Sequence, residues 1–339
     1  MYNISLITGD GIGPELSESA ISILETLHDK LGVKTKINSV EAGDAALEKY
    51  GHALPDETFQ SIKSSDACLK APVGESAADV IVVLRRKLDL FANIRPAKSY
   101  PNVRSLGDNI DLVIVRENTE DLYTGQEFEL EGSAVAMRII TEKASKRIAR
   151  HAFETAVQRN KQKRVTCVHK SNVMRKTDGL FSKSCESVAH EFPDMKFDQM
   201  YVDACSMNLI RQPQEFDIIV TTNLFGDILS DESSQVVGGL GIAPAANLGD
   251  DFGLFEPVHG AAFDIAGKQV ANPTSFILSI KMMLEWLGNK NTDHNSLTAA
   301  KILESAVLKL LKSGMTTKDI GGNMSTREFT SELTKNLVN

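Results

Sequence analysis

The stretch Phe216-Asp217-Ile218-Ile219-Val220-Thr221-Thr222-Asn223-Leu224-Phe225-Gly226-Asp227-Ile228-Leu229-Ser230-Asp231 is the strongest indication of the fold class. Its first half is rich in β-branched residues and uncharged after Asp217, which predicts a buried strand. We expect Asn223 to cap a following helix. On that helix Asp227 and Asp231 lie one turn apart on the same face, where two carboxylates repel each other. Either a divalent cation lies between them, or the face is simply acidic and solvated.

Strand-like and helix-like segments alternate along most of the chain, which predicts an α/β fold with a largely parallel sheet. Strands are expected at Asn3–Thr8, Lys36–Val40, Ala67–Lys70, Asp111–Arg116, Ala134–Thr141, Arg164–His169 and Met195–Val202. Helices are expected at Pro14–Leu31, Glu57–Ser64, Ala77–Leu90, Glu142–Arg159, Leu180–Glu191, Thr274–Leu287, Leu297–Leu311 and Thr326–Leu337.

Composition limits the classes of function. The chain has 339 residues, which predicts about two domains, and its net charge of −8 argues against a nucleic-acid or anionic-membrane partner. The stretch Val236–Leu248 is too short and too rich in glycine to span a bilayer, and Met1-Tyr2-Asn3 leads directly into a strand without a signal sequence. The cysteines show no CxxC spacing. We therefore expect a cytoplasmic protein with reduced, buried thiols.

Several polar residues follow predicted strands, and open α/β sheets bind their ligands at such strand ends. Arg116 ends one strand, Lys170 and Asn172 follow another, and Asp203 follows Tyr201-Val202. Lys170 is either a base or relay in an enclosed site or a solvated lysine. Together with the Asp227/Asp231 pair, Asp203 makes a plausible oxygen-ligand set for Mg²⁺ or Mn²⁺, and no Cys/His cluster suggests zinc.

Two further arginines, Arg85 and Arg95, flank the exit of the helix predicted over Ala77–Leu90. Arginine forks bind carboxylates through two hydrogen bonds, so an acidic substrate could be held by both. The alternative is two surface arginines with internal acidic partners. Tyr123, beyond Arg116, is a potential proton donor.

Glycine-rich segments near both ends of the chain suggest a nucleotide site. Gly9–Glu15 follows a strand and opens a helix, but Pro14 and Glu15 depart from the Rossmann fingerprint, and a plain turn is equally consistent. The segment Phe255–Lys268 is too long for a simple turn. Within it, Asp264 could accept hydrogen bonds from ribose hydroxyls while repelling a 2′-phosphate.

Six motifs occur in the order found in the β-decarboxylating dehydrogenases, and the chain resembles that family over essentially its whole length, most closely its archaeal-type isopropylmalate branch. The family comprises isopropylmalate, isocitrate, homoisocitrate and tartrate dehydrogenases. The motifs are GDGIGPE (Gly9–Glu15), LRRKLDLFANIRP (Leu84–Pro96), RENTEDLY (Arg116–Tyr123), HKSNVM (His169–Met174), Asn223–Asp231 and EPVHGAAFDIAGK (Glu256–Lys268).

The resemblance implies an α/β fold distinct from Rossmann, with two α/β domains sharing a long central sheet. Residues 1–95 and 238–339 would form the cofactor-binding domain. Residues 96–237 would form the substrate, metal and dimerisation domain, with an arm near 123–138. The active unit would be a homodimer, or a tetramer, with shared sites.

The same resemblance assigns roles to residues. Arg85, Arg95 and Arg116 would bind the substrate carboxylates. The metal ligands would be Asp227, Asp231 and the partner subunit's Asp203. Proton transfer would fall to Tyr123 and to the partner subunit's Lys170, acting with Asp203. The residues expected to contact NAD are Gly11, Ile12, Asn172, Glu256, His259, Gly260, Asp264 and Asn272.

The helix before Arg85 separates substrates within the family. Isocitrate enzymes carry Ser and Asn six and four residues before that arginine, where this chain has Asp79 and Ile81. Homoisocitrate enzymes tend to carry Arg three residues before it, where this chain has Val82. Ile81 and Val82 offer an apolar surface, and a carboxylate buried beside them would be poorly solvated.

We therefore expect NAD-linked oxidative decarboxylation of 3-isopropylmalate, a reaction of leucine biosynthesis. The alternatives are homoisocitrate or isocitrate as substrate, a small-acid dehydrogenase acting on malate or tartrate, or a catalytically silent regulatory subunit. Ala78 departs from the Glu of many isopropylmalate enzymes. Asp264-Ile265 stands where NADP-dependent relatives carry Lys-Tyr, which favours NAD.

Overall fold

The computed structural model describes residues 1–337, and its elements alternate along the chain as expected for an α/β protein. The strands are β1 (Tyr2–Ile7), β2 (Thr35–Val40), β3 (Ala67–Lys70), β4 (Ala92–Lys98), β5 (Asp111–Glu117), β6 (Glu127–Leu130), β7 (Ser133–Ala136), β8 (Arg164–His169), β9 (Lys196–Tyr201), β10 (Ile218–Thr221), β11 (Pro244–Leu248) and β12 (Gly253–Pro257). The helices are α1 (Gly13–Leu31), α2 (Asp44–Tyr50), α3 (Asp56–Lys63), α4 (Ala77–Lys87), α5 (Glu142–Arg159), α6 (Thr177–Ala189), α7 (Val202–Arg211), α8 (Asn223–Val237), α9 (Thr274–Asn291), α10 (His294–Ser313) and α11 (Thr326–Asn336).

One 10-stranded sheet runs through the molecule in the order β2-β1-β3-β12-β11-β4-β5-β10-β8-β9. Its two flanks are parallel, whereas the central strands β12, β11, β4 and β5 pair antiparallel. One flank comes from both chain ends and the other from the middle of the chain. The expected α/β class with a long, mostly parallel central sheet, distinct from Rossmann, is confirmed. The domain boundaries given above remain a prediction.

Helices cover both faces of the sheet because its strands are apolar on both sides. Along β5, Val113 and Val115 belong to the large core shared with α1, α5, α6 and α9, whereas Leu112 and Ile114 face the cluster under α7 and α8. A third cluster lies under α4. Outside the sheet, β6 and β7 form an exposed hairpin within the expected arm.

Several predicted elements were wrong at their ends by three residues or more, including α6, α9 and α10. Helix α4 ends at Lys87 rather than Leu90, because Asp89 adopts a left-handed backbone (φ +47°) and turns the chain into β4. The strand expected at Ala134–Thr141 is limited to Ser133–Ala136, since Thr141 is already the N-cap of α5. Strands β4, β6, β11 and β12 and helices α2 and α7 were not predicted.

No helix within residues 1–337 combines the length and apolar composition that a membrane crossing needs. As expected, the cysteines are free and buried: Cys68, Cys167, Cys185 and Cys205.

Candidate active site

The predicted site residues gather at one edge of the sheet. Strands β5, β10, β8 and β9 are mutually parallel neighbours, so their carboxyl ends meet at the same edge. Arg116 lies near the end of β5, α8 begins directly after β10, and Lys170 follows β8. Asp203 lies in the first turn of α7, two residues after β9 ends at Tyr201.

The centre of the site is a contact between Arg116, Tyr123 and Asp227. Arg116 is 1% exposed and forms an ion pair with Asp227. The Tyr123 hydroxyl donates to the second oxygen of Asp227 at 2.5 Å, and the guanidinium lies 5.1 Å from the tyrosine ring centroid. One guanidinium nitrogen of Arg116 is buried and has no hydrogen-bond partner within residues 1–337.

Arg95 lies beside this centre on β4, not at the exit of a helix. Its guanidinium donates to Ser230 at 2.9 Å and to Asp231 at 3.3 Å, and lies 3.7 Å from Asp227. The Asp231 side chain remains 56% exposed, so this ion pair leaves it open to a further ligand.

A buried polar network fixes the position of the Arg85 side chain. Its Nε donates to Asn247 at 2.9 Å, and its Nη2 lies 3.4 Å from Glu256. Glu256 also accepts from Lys70 at 2.8 Å and from Asn247 at 2.8 Å. Glu256, expected in a glycine-rich loop, is therefore part of strand β12 and of this network.

Burial and mutual repulsion make the arginines a strong site for anions. Burial, with a contribution from Arg116, lowers the pKa of Arg85 to about 10. The same two causes lower the pKa of Arg95. A substrate with two carboxylates would relieve this repulsion and receive charge-assisted hydrogen bonds.

The pKa values of the two carboxylates on α8 shift in opposite directions. For Asp227, burial would raise the pKa, but Arg116 and Arg95 outweigh it and lower the pKa, so the group stays ionised. For Asp231, burial raises the pKa against the pull of Arg95, with Asp227 adding to the rise. A cation between the two carboxylates would favour both ionised forms.

The first turn of α8 differs from the expectation in one respect. Thr222 is its N-cap, whereas Asn223 is the first helical residue. The Asn223 side chain accepts from Arg116 at 2.9 Å instead of capping the helix. It thereby orients the arginine toward Asp227.

Lys170 and Asp203 form a pair of their own. Lys170 Nζ donates to Asp203 Oδ1 at 2.5 Å, and this hydrogen bond lowers the Asp203 pKa. Within residues 1–337 no hydrogen bond or ion pair joins them to Tyr123, Asp227 or Asp231. Nor does this part of the chain contain three His, Cys, Asp or Glu residues close enough to hold a metal. One chain therefore does not assemble the expected three-aspartate set.

The two glycine-rich segments lie against each other. The Ile12 amide donates to the Ala261 carbonyl at 2.8 Å. Gly11 has φ +58°, and a Cβ there would lie 2.1 Å from that carbonyl oxygen, so the approach requires glycine. Beside Gly260 no heavy atom lies within 4 Å of the Cβ position, which leaves open space for a ligand.

The remaining residues expected to contact NAD are placed as follows. Asp264 is exposed. His259 Nδ1 lies 3.1 Å from the Gly260 carbonyl oxygen. Asn272 donates to Asp319 at 2.9 Å. Asn172 is exposed on the loop after β8.

Helix α4, expected to select the substrate, presents apolar side chains beside Arg85. Ile81 is buried and lies one turn before Arg85 on the same face of α4. Val82 is half-buried and packs against the same cluster. Residues 81–84, the turn of α4 before Arg85, include no charged side chain.

Sequence reasoning missed the buried residues that support the arginines. Lys70 ends β3, a strand-end position that could have drawn attention to it. The asparagines gave no local signal, because their partners are distant in sequence: Asn93 and Asn118 both donate to Asn247 at 3.0 Å.

Buried arginines near paired aspartates and a tyrosine, at the edge of a long mixed sheet, are an arrangement that suits a small polyanion. The isocitrate/isopropylmalate dehydrogenase family model matches residues 3–337, and the chain belongs to this family of dehydrogenases.

The chain is similar to relatives with two kinds of substrate in their names. It is 51% identical to the 3-isopropylmalate dehydrogenase of Saccharolobus solfataricus, covering 98% of this chain and 99% of the relative. It is 45% identical to the isocitrate/homoisocitrate dehydrogenase of Thermus thermophilus, covering 99% and 98%. The crystal structure of isocitrate dehydrogenase from Methylococcus capsulatus superimposes with a TM-score of 0.93 at 40% identity, covering 100% of both chains.

Proposed function

We propose that the chain catalyses the NAD⁺-linked oxidative decarboxylation of 3-isopropylmalate to 2-oxoisocaproate, in leucine biosynthesis. The observation that carries the proposal is the meeting of Arg85, Arg95 and Arg116 beside the apolar face of α4. The arginines suit two carboxylates, and Ile81 and Val82 suit an isopropyl group. The relative named for this substrate is more similar to the chain than the one named for isocitrate and homoisocitrate.

We propose Mg²⁺ or Mn²⁺ as the metal, held by Asp227 and Asp231 with the partner subunit's Asp203. The donor set fits, since it consists of carboxylate oxygens, two of them on one face of α8. The metal would polarise the substrate hydroxyl and its neighbouring carboxylate.

We propose NAD⁺ as hydride acceptor, bound along the surface that Gly11–Ile12 and the segment from Glu256 to Lys268 form together, with Asn272 as a further contact. The glycine contact between these segments and the open space at Gly260 support this placement. The exposed carboxylate of Asp264 suits ribose hydroxyls and disfavours NADP⁺. Asn172, on the loop after β8, would approach the nicotinamide.

The protein side of the mechanism follows from these positions. Arg85, Arg95 and Arg116 orient the substrate by its carboxylates. The partner subunit's Lys170, after passing a proton to Asp203, would take the hydroxyl proton as the hydride passes to NAD⁺. Burial and the hydrogen bond to Asp227 raise the pKa of Tyr123, so its hydroxyl keeps a proton that it can give to the carbon from which CO₂ departs.

We propose a homodimer, or a tetramer built from such dimers, as the active unit. The Lys170–Asp203 pair lies apart from Tyr123 and Asp227 in one chain, so a second copy would have to bring it into the site. Exposed apolar side chains on α7, α8 and the hairpin suit such an interface: Met207, Ile210, Ile228, Phe128 and Leu130. Free, buried thiols suit the reducing cytoplasm, where we propose that the enzyme works.

The test is NADH formation by the purified protein with 3-isopropylmalate, isocitrate, homoisocitrate and malate in parallel, with Mg²⁺ or Mn²⁺ and after chelation. We expect the highest kcat/KM with 3-isopropylmalate and loss of activity on chelation. A tenfold higher kcat/KM for isocitrate or homoisocitrate would overturn the substrate. Substrate binding without turnover, and without tightening by metal, would support a silent binding subunit.

A further inference from the structure

Arg138 lies at the centre of a buried ionic cluster to which the proposed reaction assigns no role. Its side chain is 12% exposed, and it forms ion pairs with Asp121 and Asp178, both fully buried. It also donates to the Thr222 hydroxyl at 2.7 Å and to the Met174 sulfur at 2.8 Å. With two bonds to Asp121 and one to Asp178, all five guanidinium N–H groups have partners.

Asp121 connects this cluster to the proton donor and to α8. Its carboxylate accepts from the amide of Leu122, next to Tyr123, at 2.9 Å. It also accepts from the amide of Leu224, in the first turn of α8, at 3.0 Å. The position of Asp121 therefore fixes the segment bearing Tyr123 relative to the helix that bears Asp227.

Asp178 connects the cluster to the lysine. One of its oxygens binds Arg138, and the other accepts from the backbone amide of Lys170 at 2.5 Å. A single guanidinium thus joins the three segments that carry Tyr123, Asp227 and Lys170.

Arg138 also lies at the base of the exposed hairpin. The chain leaves the body at Asp121, passes Tyr123 and the β6–β7 hairpin, and returns at Arg138. The Asp121 amide donates to the Ile139 carbonyl at 2.9 Å, which closes this base. Displacement of the hairpin would move Tyr123 unless this base were fixed to the body. Arg138 fixes it there, together with Asn223, whose side chain donates to the Glu120 carbonyl at 3.1 Å.

We infer that Arg138 is a positioning residue for the reaction. It fixes the distance between Tyr123 and the first turn of α8, and it fixes the position of Lys170 relative to both. The inference rests on the proposed function. Since Lys170 is proposed to serve the partner's site, each cluster would support groups of two sites.

Lysine cannot replace Arg138 in this role. An ammonium has three N–H donors and no planar fork, so it cannot keep both carboxylates, Thr222 and Met174 as partners. Arg138→Lys keeps the charge between Asp121 and Asp178, so it loosens the geometry without leaving two buried carboxylates unpaired.

The matched control is Arg159→Lys. Arg159 is 18% exposed and pairs with Asp217, which is fully buried, and with Asp111. These aspartates lie at the amino-terminal ends of β10 and β5, so this pair has the same chemistry at the edge of the sheet opposite the site. Both variants should lower the melting temperature similarly.

The experiment compares kcat and KM of the two variants for the substrate that the wild-type protein oxidises. We expect Arg138→Lys to lower kcat about 10- to 100-fold with KM within about threefold, because the arginines that bind the substrate do not contact Arg138. Arg159→Lys should keep kcat within about threefold of the wild type. Equal kcat in both variants, or a loss confined to KM, would overturn the inference.

A second pair of variants decides the matter if Arg138→Lys does not fold. Asp178→Asn should lower kcat at least about fivefold, whereas Asp217→Asn should not. Equal kcat values for this pair would reject the positioning role. A wild-type protein without activity on 3-isopropylmalate would contradict the proposed function alone, and the same variants would then be compared on the substrate that it oxidises.

Discussion

The hydrogen bond between Tyr123 and Asp227 is the contact on which the proposed proton transfer depends. Tyr123→Phe removes the hydroxyl and keeps the ring against Arg116. We expect kcat to fall about 10²- to 10³-fold with little change in KM, because the ring does not bind the substrate carboxylates. The measurement is steady-state NADH formation.

A surface tyrosine provides the control for that prediction. Tyr50 donates to Glu41 at 2.7 Å on the exposed side of α2, so Tyr50→Phe removes the same kind of bond far from the arginines. Its kcat should equal that of the wild type. A Tyr123→Phe variant with wild-type kcat would exclude Tyr123 as the proton donor.

The ionisation of Glu256 makes the free energy of unfolding depend on pH in the acid range. Burial would raise its pKa, but Lys70 and Arg85 outweigh burial and lower the pKa to about 2. Because this lies below the unfolded value of about 4.3, the ionised carboxylate stabilises the fold above that pH, and its contribution disappears as pH falls toward 2. The loss amounts to roughly 3 kcal/mol of unfolding free energy.

Urea denaturation of the wild type and Glu256→Gln at several pH values measures this contribution. At pH 7 the variant should be less stable by about 3–5 kcal/mol, since it leaves Lys70 and Arg85 without their anion. The difference between the two proteins should shrink from pH 5 to pH 2. A difference that stays constant over this range would show that Glu256 does not titrate with folding.

At the level of elements, the proposed function gives α4 the choice of substrate. Val82 lies three residues before Arg85, so an arginine at position 82 would be a neighbour of Arg85 on the surface of α4. We expect Val82→Arg to shift the kcat/KM ratio toward homoisocitrate, whose extra carboxylate it could pair. The measurement is NADH formation with both substrates.

The neighbouring change Val83→Arg is its control, because it adds the same charge about 100° around α4. It should leave the ratio of the two substrates unchanged. If Val82→Arg abolished all activity without a new preference, the apolar pocket would lose its support.

The elements that the sequence predicted well are those whose burial follows a local pattern. Helix α5 has adjacent apolar rows, and β8 and β10 are runs of buried β-branched residues. Strands β4 and β12 were missed because each carries a buried charge, Arg95 or Glu256. Their burial depends on partners distant in sequence, which no local periodicity reports.

The site residues divide in the same way, into those that a local motif indicates and those whose partners are distant in sequence. The arginines, Tyr123 and the α8 aspartates stand in motifs and were identified from them. Lys70 binds Glu256, and Asn247 accepts from Arg85. Lys70 and Asn247 come from β3 and β11, so they come close only when those strands join one sheet. The contact between Gly11 and Ala261 likewise requires the two ends of the chain to meet.

At the level of the whole molecule, the proposed reaction needs two groups of residues that one chain keeps apart. Asp227, Asp231 and Tyr123 form one group, and Lys170 and Asp203 form the other. The central claim of the proposed function is that a second copy of the chain brings them together.

Mixed dimers with one changed aspartate in each subunit test this claim most directly. The subunits carry different tags, one has Asp203→Asn and the other Asp227→Asn, and each homodimer alone should have at most about 1% of wild-type kcat. In the mixed dimer one site would combine two unchanged aspartates. We therefore predict about half of the wild-type kcat per dimer.

The control dimer pairs a wild-type subunit with a subunit that carries both changes, and we predict that it has almost no activity. Shared sites would each contain one changed aspartate there, whereas a site complete within one chain would leave the wild-type subunit active. Half activity in the mixed dimer and almost none in the control is the predicted result. The reverse pattern would contradict the shared site.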